Sequence, residues 1–251
     1  MARQKGILPI EGTIGNITFF KSQDGYMVRE KGGVSADKIA NDPAFARTRE
    51  NNAEFGRAGK ASRLLRTAFR GTLQQASDSR VVGRLTGRMM DVIHEDTVNT
   101  RGLRNVIDGE ALLLEGFEFN IQGKLGATLF APYTVTLNRA TGEASISIPP
   151  FVPANLMAAP GGTTHFRFSI AAASIDFEGE AFTVETTGSG YLPLDKLPTA
   201  VLDLSVSLPP AGTHPMFLAL VVEFVQDVNG TKYPLNNGAF NPGAVIKVDT
   251  P

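Results

Sequence analysis

Beyond Gly109 the sequence changes its period. Upstream, apolar residues recur at helical spacing; downstream they alternate or form short runs, and turn residues separate them. The strand candidates are Ala111 to Asn120, Ala127 to Leu137, Glu143 to Ile148, Thr164 to Ala173, Glu180 to Thr187, Ala200 to Leu208, Met216 to Val228, Thr231 to Leu235 and Gly243 to Asp249. No helix-length periodic segment lies between them, so the crossovers of a parallel α/β sheet are missing, and residues 109–251 read as an antiparallel β-sandwich, Ig-like or jelly-roll. Asn138-Arg-Ala-Thr-Gly142 closes one hairpin, and Asn229-Gly230 is the signal for a type I′ turn in another. Pro149, Pro150, Pro153 and Pro160 suit a longer, extended crossing between sheets.

Residues 41–108 read as a basic helical segment. Asp42 is a suitable N-cap with Pro43 at the first helical position, and Ala and Arg dominate from there to Arg70. Phe55, Ala58, Ala61, Leu65, Ala68 and Phe69 share one arc of this helix, while Arg49, Lys60, Arg63, Arg66 and Arg70 share the adjoining one. Gly56 and Gly59 each cost about 1 kcal/mol relative to Ala inside a helix, which predicts close backbone packing or a break there. A second helix is expected from Ser79 to His94, with Val81, Val82, Leu85, Met89, Val92 and Ile93 on its apolar face.

Residues 1–40 read as a β-hairpin arm. Two short strand patterns flank Ser22-Gln-Asp-Gly25, and they carry Ile14, Ile17, Phe19, Phe20, Tyr26 and Val28. A free two-stranded ribbon is marginal in water, so an arm this apolar must dock, either on its own body or on a neighbouring subunit by strand addition.

Charge is distributed unevenly. The first 105 residues carry 18 Lys+Arg against 11 Asp+Glu, and the remaining 146 carry 6 against 14, so the net charge of −1 joins a half at +7 to a half at −8. Such a chain can meet a copy of itself head to tail, or its basic side can face a polyanion. The basic arc has no aromatic residue interleaved with it, unlike single-strand nucleic-acid binders.

Chemistry leaves few candidates. The absence of cysteine removes thiolate nucleophiles, disulfides and Cys-based zinc sites. His94, His165 and His214 are far apart and form no metal-ligand pair; a strand end, a helix C-terminus and a loop account for them. Gly32-Gly33, Gly161-Gly162 and Gly188-Ser-Gly190 lack the Lys and Ser/Thr of a phosphate loop, and the last also fails the nucleophile-elbow pattern. Asp176-Phe-Glu-Gly-Glu180 and Glu115-Gly-Phe-Glu118 lack the ligand spacing of a calcium loop. With no tryptophan and four tyrosines, stacking platforms for sugars are scarce. No apolar window reaches a transmembrane length, and Ile7 to Ile10 is too short for a signal peptide's core. The expectation is cytoplasmic synthesis without a Sec signal, with any external role reached by lysis or by a dedicated machine.

The segments Lys31-Gly-Gly-Val-Ser, Asn41-Asp-Pro-Ala-Phe-Ala-Arg-Thr-Arg-Glu-Asn51, Glu54-Phe-Gly-Arg-Ala-Gly-Lys-Ala61 and Val228-Asn-Gly-Thr-Lys-Tyr-Pro-Leu-Asn-Asn-Gly-Ala-Phe-Asn241 resemble an uncharacterised family of Bacteroidota proteins along nearly the whole chain. The resemblance implies a bacterial or prophage origin and carries no catalytic residue.

These readings lead to an expected non-enzymatic structural protein, without cofactor or metal, that assembles with itself into a filament, tube or shell. Its expected contact residues are Ile17, Phe19, Phe20 and Tyr26 of the arm and Arg63, Arg66 and Arg70 of the helix. The alternative is a coat-like or packaging protein whose basic helices bind nucleic acid; a carbohydrate-binding or hydrolytic sandwich is a third class. Membrane insertion is not expected.

Overall fold

The computed structural model describes every residue except Met1, Lys5, Ile7 and Lys31; the last of these, at the far end of the expected hairpin, therefore lies outside the described residues. The fold is mainly β, with antiparallel sheets and two long helices. It divides into two compact units, Met1–Arg49 and Glu50–Pro251.

The first unit is more than a hairpin. Strands β1 (Ala2–Arg3), β2 (Gly12–Ile14), β3 (Ile17–Ser22) and β4 (Gly25–Glu30) form an antiparallel sheet in the order β1-β4-β3-β2. The turn closes where Ser22 pairs with Gly25, as the sequence predicts. Helix α1 (Ala36–Asn41) follows, capped by Ser35, whose hydroxyl accepts from Lys38 N. Asp42 then caps a single 3-10 turn with Pro43 in its first position, and Arg49 donates back to the Ile39 and Asp42 carbonyls at 2.8 and 3.0 Å.

The second unit has three layers. Helices α2 (Ala46–Ala68, continuing from the first unit), α3 (Arg70–Gln75) and α4 (Val81–His94) form one. The middle layer is a six-stranded sheet, built on β7 (His165–Asp176) and β11 (Met216–Val228). Strand β8 (Ala181–Gly188) and the two-residue β9 (Leu192–Pro193) pair with β7, while β12 (Thr231–Pro234) and β13 (Gly243–Asp249) pair with β11. The third layer is the sheet β10-β6-β5, made of Leu202–Ser207, Glu143–Ile148 and Thr134–Asn138.

Burial on both faces explains the sequence of the central strands. In β11, Met216, Leu218, Leu220, Val222 and Phe224 join Phe166, Phe168 and Ile170 of β7 against the small sheet. On the opposite face Phe217 and Ala219 join Ala171, Ala173 and Ile175 against the helices. A strand covered on both sides reads as a continuous apolar run, which is why Met216 to Val222 carries no polar residue. Three of these helix-facing positions are alanines, and α2 contributes Ala58, Ala61, Leu65 and Ala68 to the same core.

The helices and the sandwich thus share one core, and the separate segments 41–108 and 109–251 expected from the change of period are joined by it. Three local expectations also change. Residues 111–120 form a 3-10 turn (Ala111–Leu114) and a loop with one isolated bridge, Glu118 to Ala244, instead of a strand. Leu125–Thr128 is a helical turn, so the next strand begins only at Thr134. Phe55, placed by the helical wheel on the buried arc, is 60 % exposed. The Asn229-Gly230 turn holds: both residues have positive φ, 53° and 84°, as type I′ requires.

Candidate functional site

Pairing fixes which arm residues share a face. Ile17 sits opposite Ile14 and Glu30, Phe19 opposite Gly12 and Val28, and Tyr26 opposite Lys21. Ile14, Ile17, Phe19, Tyr26 and Val28 therefore lie together on one side, with Ala2 beside Val28. A hollow of about 710 Å³ opens on this side, lined by Ala2, Ile14, Asn16, Ile17, Val28 and Glu30. Phe20 lies on the opposite side across from Met27, with the Arg29 guanidinium 5.4 Å from its ring centroid. Of the four arm residues singled out in the sequence, the structure brings three together and separates Phe20.

No described residue of the first unit is buried. Ile14 remains 65 % exposed and Ile17 44 % exposed. The edges of this sheet are strands of two and three residues, which leaves little ladder for strand addition. What the arm offers is a face.

Arg63, Arg66 and Arg70 recur on α2 and at the start of α3 and open onto one groove of about 510 Å³. Leu73, Val81 and Val82 form its apolar wall, and Thr67, Gln74 and Ser77 add polar groups. None of the three arginines is in a salt bridge with an acidic side chain among the described residues, and Arg66 Nε is buried without a hydrogen-bond partner.

The other helical arginines are committed internally. Arg57 donates to the Gly102 and Arg104 carbonyls at 2.8 and 3.0 Å. Arg84 binds Asp78 and the Glu118 and Phe119 carbonyls, and lies over the Phe117 ring. Arg88 reaches the Leu113 carbonyl and Asp91. Much of the basic charge of the helices is thus used inside the fold, while Arg63, Arg66 and Arg70 gather at the groove.

Several acidic residues are committed in the same way: Glu115 with Lys247, Glu223 with Arg167, Asp227 with Lys232 and Asp249 with Arg139. The turn between β7 and β8 differs. It places Asp176, Glu178 and Glu180 within five residues, and Glu178, Gly179 and Glu180 are exposed at its tip. Asp176 Oδ1 accepts from Gly179 N at 2.8 Å and Glu178 N at 3.0 Å, bonds that hold its carboxyl below the usual range. A Cβ on Gly179 would stand 2.4 Å from Asp176 Oδ2, so a larger residue there would have to displace the Asp176 carboxylate. Lys60 is the nearest cation, 3.8 Å from Glu180, and both side chains are largely exposed.

His94 stands 3.9 Å from Glu54, His214 3.8 Å from Asp176, and His165 meets the neighbouring Thr164 hydroxyl. Among the described residues no three His, Cys, Asp or Glu side chains gather to hold a metal ion. An open cavity of about 600 Å³, not foreseen in the sequence, lies among Ile121, Lys124, Ala127, Ala159, Pro160 and Phe240. Asn236, which also lines it, and the adjoining Asn237 adopt left-handed conformations. The run Pro234-Leu-Asn-Asn-Gly238 supplies the turn-forming residues of this irregular segment, a turn not among those expected from the sequence. Among the described residues no helix is long and apolar enough to cross a membrane. Comparison of the chain with protein-family models, curated proteins and solved structures returns no match.

Proposed function

We propose that this chain is a non-enzymatic structural protein that assembles with copies of itself through the apolar face of its first unit. The observation that carries the reading is the unburied sheet: Ile14, Ile17, Phe19, Tyr26 and Val28 share a face, and no described residue of that unit is buried. A small sheet needs an apolar face to be covered before it is stable, and contiguous exposed apolar surface marks a contact site.

Full burial of such side chains yields about 1.5–3 kcal/mol each. Association itself costs about 4–15 kcal/mol, which is comparable with what burial of this face yields, and repeated contacts in a filament, tube or shell add to it. A prophage or virus-like particle, released from the cell, belongs to the same reading.

Size-exclusion chromatography with negative-stain microscopy tests it: an ordered polymer is expected, and a monomer at all concentrations and salts would sink it. The second reading, a coat-like protein whose Arg63, Arg66 and Arg70 face nucleic acid, draws on the absence of salt-bridge partners for these arginines among the described residues. It predicts particles that absorb more strongly at the nucleic-acid band and binding that weakens linearly in log salt.

A further inference from the structure

We infer that the groove of Arg63, Arg66 and Arg70 is the seat of the Asp176–Glu180 turn of a second copy, in a head-to-tail contact. The inference rests on the self-assembly reading and supplies its register. The groove is a set of cations without anions: none of its three arginines is in a salt bridge among the described residues, and Arg66 Nε is buried and unpartnered.

An occupant must bring carboxylates or phosphates and must also suit the apolar wall of Leu73, Val81 and Val82, the last of which is 45 % exposed. No aromatic side chain lines the groove, so a base has nothing to stack on, which weighs against single-stranded nucleic acid. The β7–β8 turn has the complementary chemistry. Glu178 and Glu180 stand at an exposed hairpin tip narrow enough to enter a groove, and Phe182, two residues on, is 38 % exposed and can meet the apolar wall. Glu115, Glu223, Asp227 and Asp249, four other carboxylates of the acidic half, are paired inside the chain, whereas Glu178 is in no salt bridge among the described residues and Glu180 has only the exposed Lys60, 3.8 Å away.

Groove and turn are different patches of one surface, so the contact is heterologous and propagates from copy to copy. Exposed charge pairs contribute modestly, and their main effect is on register and on the rate of encounter, while the arm's apolar face supplies affinity.

The test is a charge exchange in the full chain. One variant carries Arg63→Glu and Arg70→Glu, leaving the partly buried Arg66 in place; the other carries Glu178→Lys and Glu180→Lys, leaving the turn-forming Asp176 in place. All four positions are exposed, so circular dichroism and melting should match the wild type. At low salt each variant alone should assemble about tenfold less readily, measured by sedimentation. An equimolar mixture should recover wild-type assembly, because each variant then offers the turn that suits the other's groove.

If the wild type polymerises and either variant alone does so equally well, or the mixture shows no recovery, the inference is overturned and the self-assembly reading stands. If the wild type is monomeric under every condition, both fall. If duplex DNA binds the wild type and not the Arg63→Glu/Arg70→Glu variant, whose assembly is unchanged, the groove faces nucleic acid and the inference is overturned.

Discussion

Arg104 grips the carboxylate of Glu54 with both arms of its guanidinium, at 2.8 and 2.9 Å, inside a site where Glu54 has no solvent exposure. Gly102 N adds a third bond to the same carboxylate at 2.7 Å. One side chain of α2 therefore ties down the loop that follows α4, and holds it where Val106 enters the core beside the helices. Truncating one partner leaves the other charge buried and unpaired. Arg104→Met and Glu54→Gln should each lower the free energy of unfolding by about 3–5 kcal/mol in urea titration, whereas Arg101→Met, whose partner Glu50 is a more exposed carboxylate, should change it by less than about 1 kcal/mol.

Acid should unfold the second unit through a small set of carboxylates. Arg104 holds Glu54 below its ordinary range. Burial alone would raise Asp78 and Asp96, but hydrogen bonds from Ile121 N, Arg80 N and Arg84 to the first, and from Asn99 and Asn105 to the second, outweigh it and hold both below the usual value. A carboxyl depressed by folding contributes its full stability above the unfolded value, about pH 4, and loses it as pH falls towards the lower folded value. Melting temperature should be level from neutral pH to about 5 and fall steeply below about 4. A melting curve unchanged down to pH 3 would contradict these assignments.

Two glycines inside α2 offer a gain. A Cβ on Gly56 or Gly59 meets no atom within 4 Å, and the helix runs unbroken through both, so neither the close packing nor the break expected from the sequence is what keeps them. Gly56→Ala and Gly59→Ala should each stabilise the chain by about 1 kcal/mol. Gly142→Ala should do the reverse, because φ there is +75° and the new Cβ would stand 2.0 Å from the Leu208 carbonyl oxygen. Chemical denaturation of the three variants reads both signs.

Phe19 and Phe20 separate two roles of the arm. Phe19→Ser lies on the face with Ile17, Tyr26 and Val28 and should abolish assembly while circular dichroism shows the β signal of the second unit intact. Phe20→Ser lies on the other face, under Arg29, and should weaken assembly less. Equal effects of the two would mean that the face does not direct the contact.

Legibility in the sequence followed periodicity. β11 and β13 were bounded correctly because an uninterrupted apolar run and a clear turn admit one reading. Residues 111–120 were misread as a strand because Leu112, Leu113 and Leu114 are as apolar as a strand, and only packing against α4 and the sheet selects a 3-10 turn. Arg63, Arg66 and Arg70 were legible as a row because helical spacing places them together. That Arg57, Arg84 and Arg104 would be used up internally was not, since each has partners that lie 34 to 50 residues away along the chain. Arm residues could be assigned to faces only once the register of β3 on β4 was known, because a shift of one residue exchanges the sides.

The central claim is that this chain associates with itself through the first unit. Sedimentation velocity of the full chain, across roughly a hundredfold range of concentration at low and at physiological salt, measures it most directly. The account predicts a sedimentation coefficient that rises with concentration in the wild type and stays monomeric in Ile17→Ser/Phe19→Ser. A wild type that sediments as one monomeric species across the whole range would contradict it.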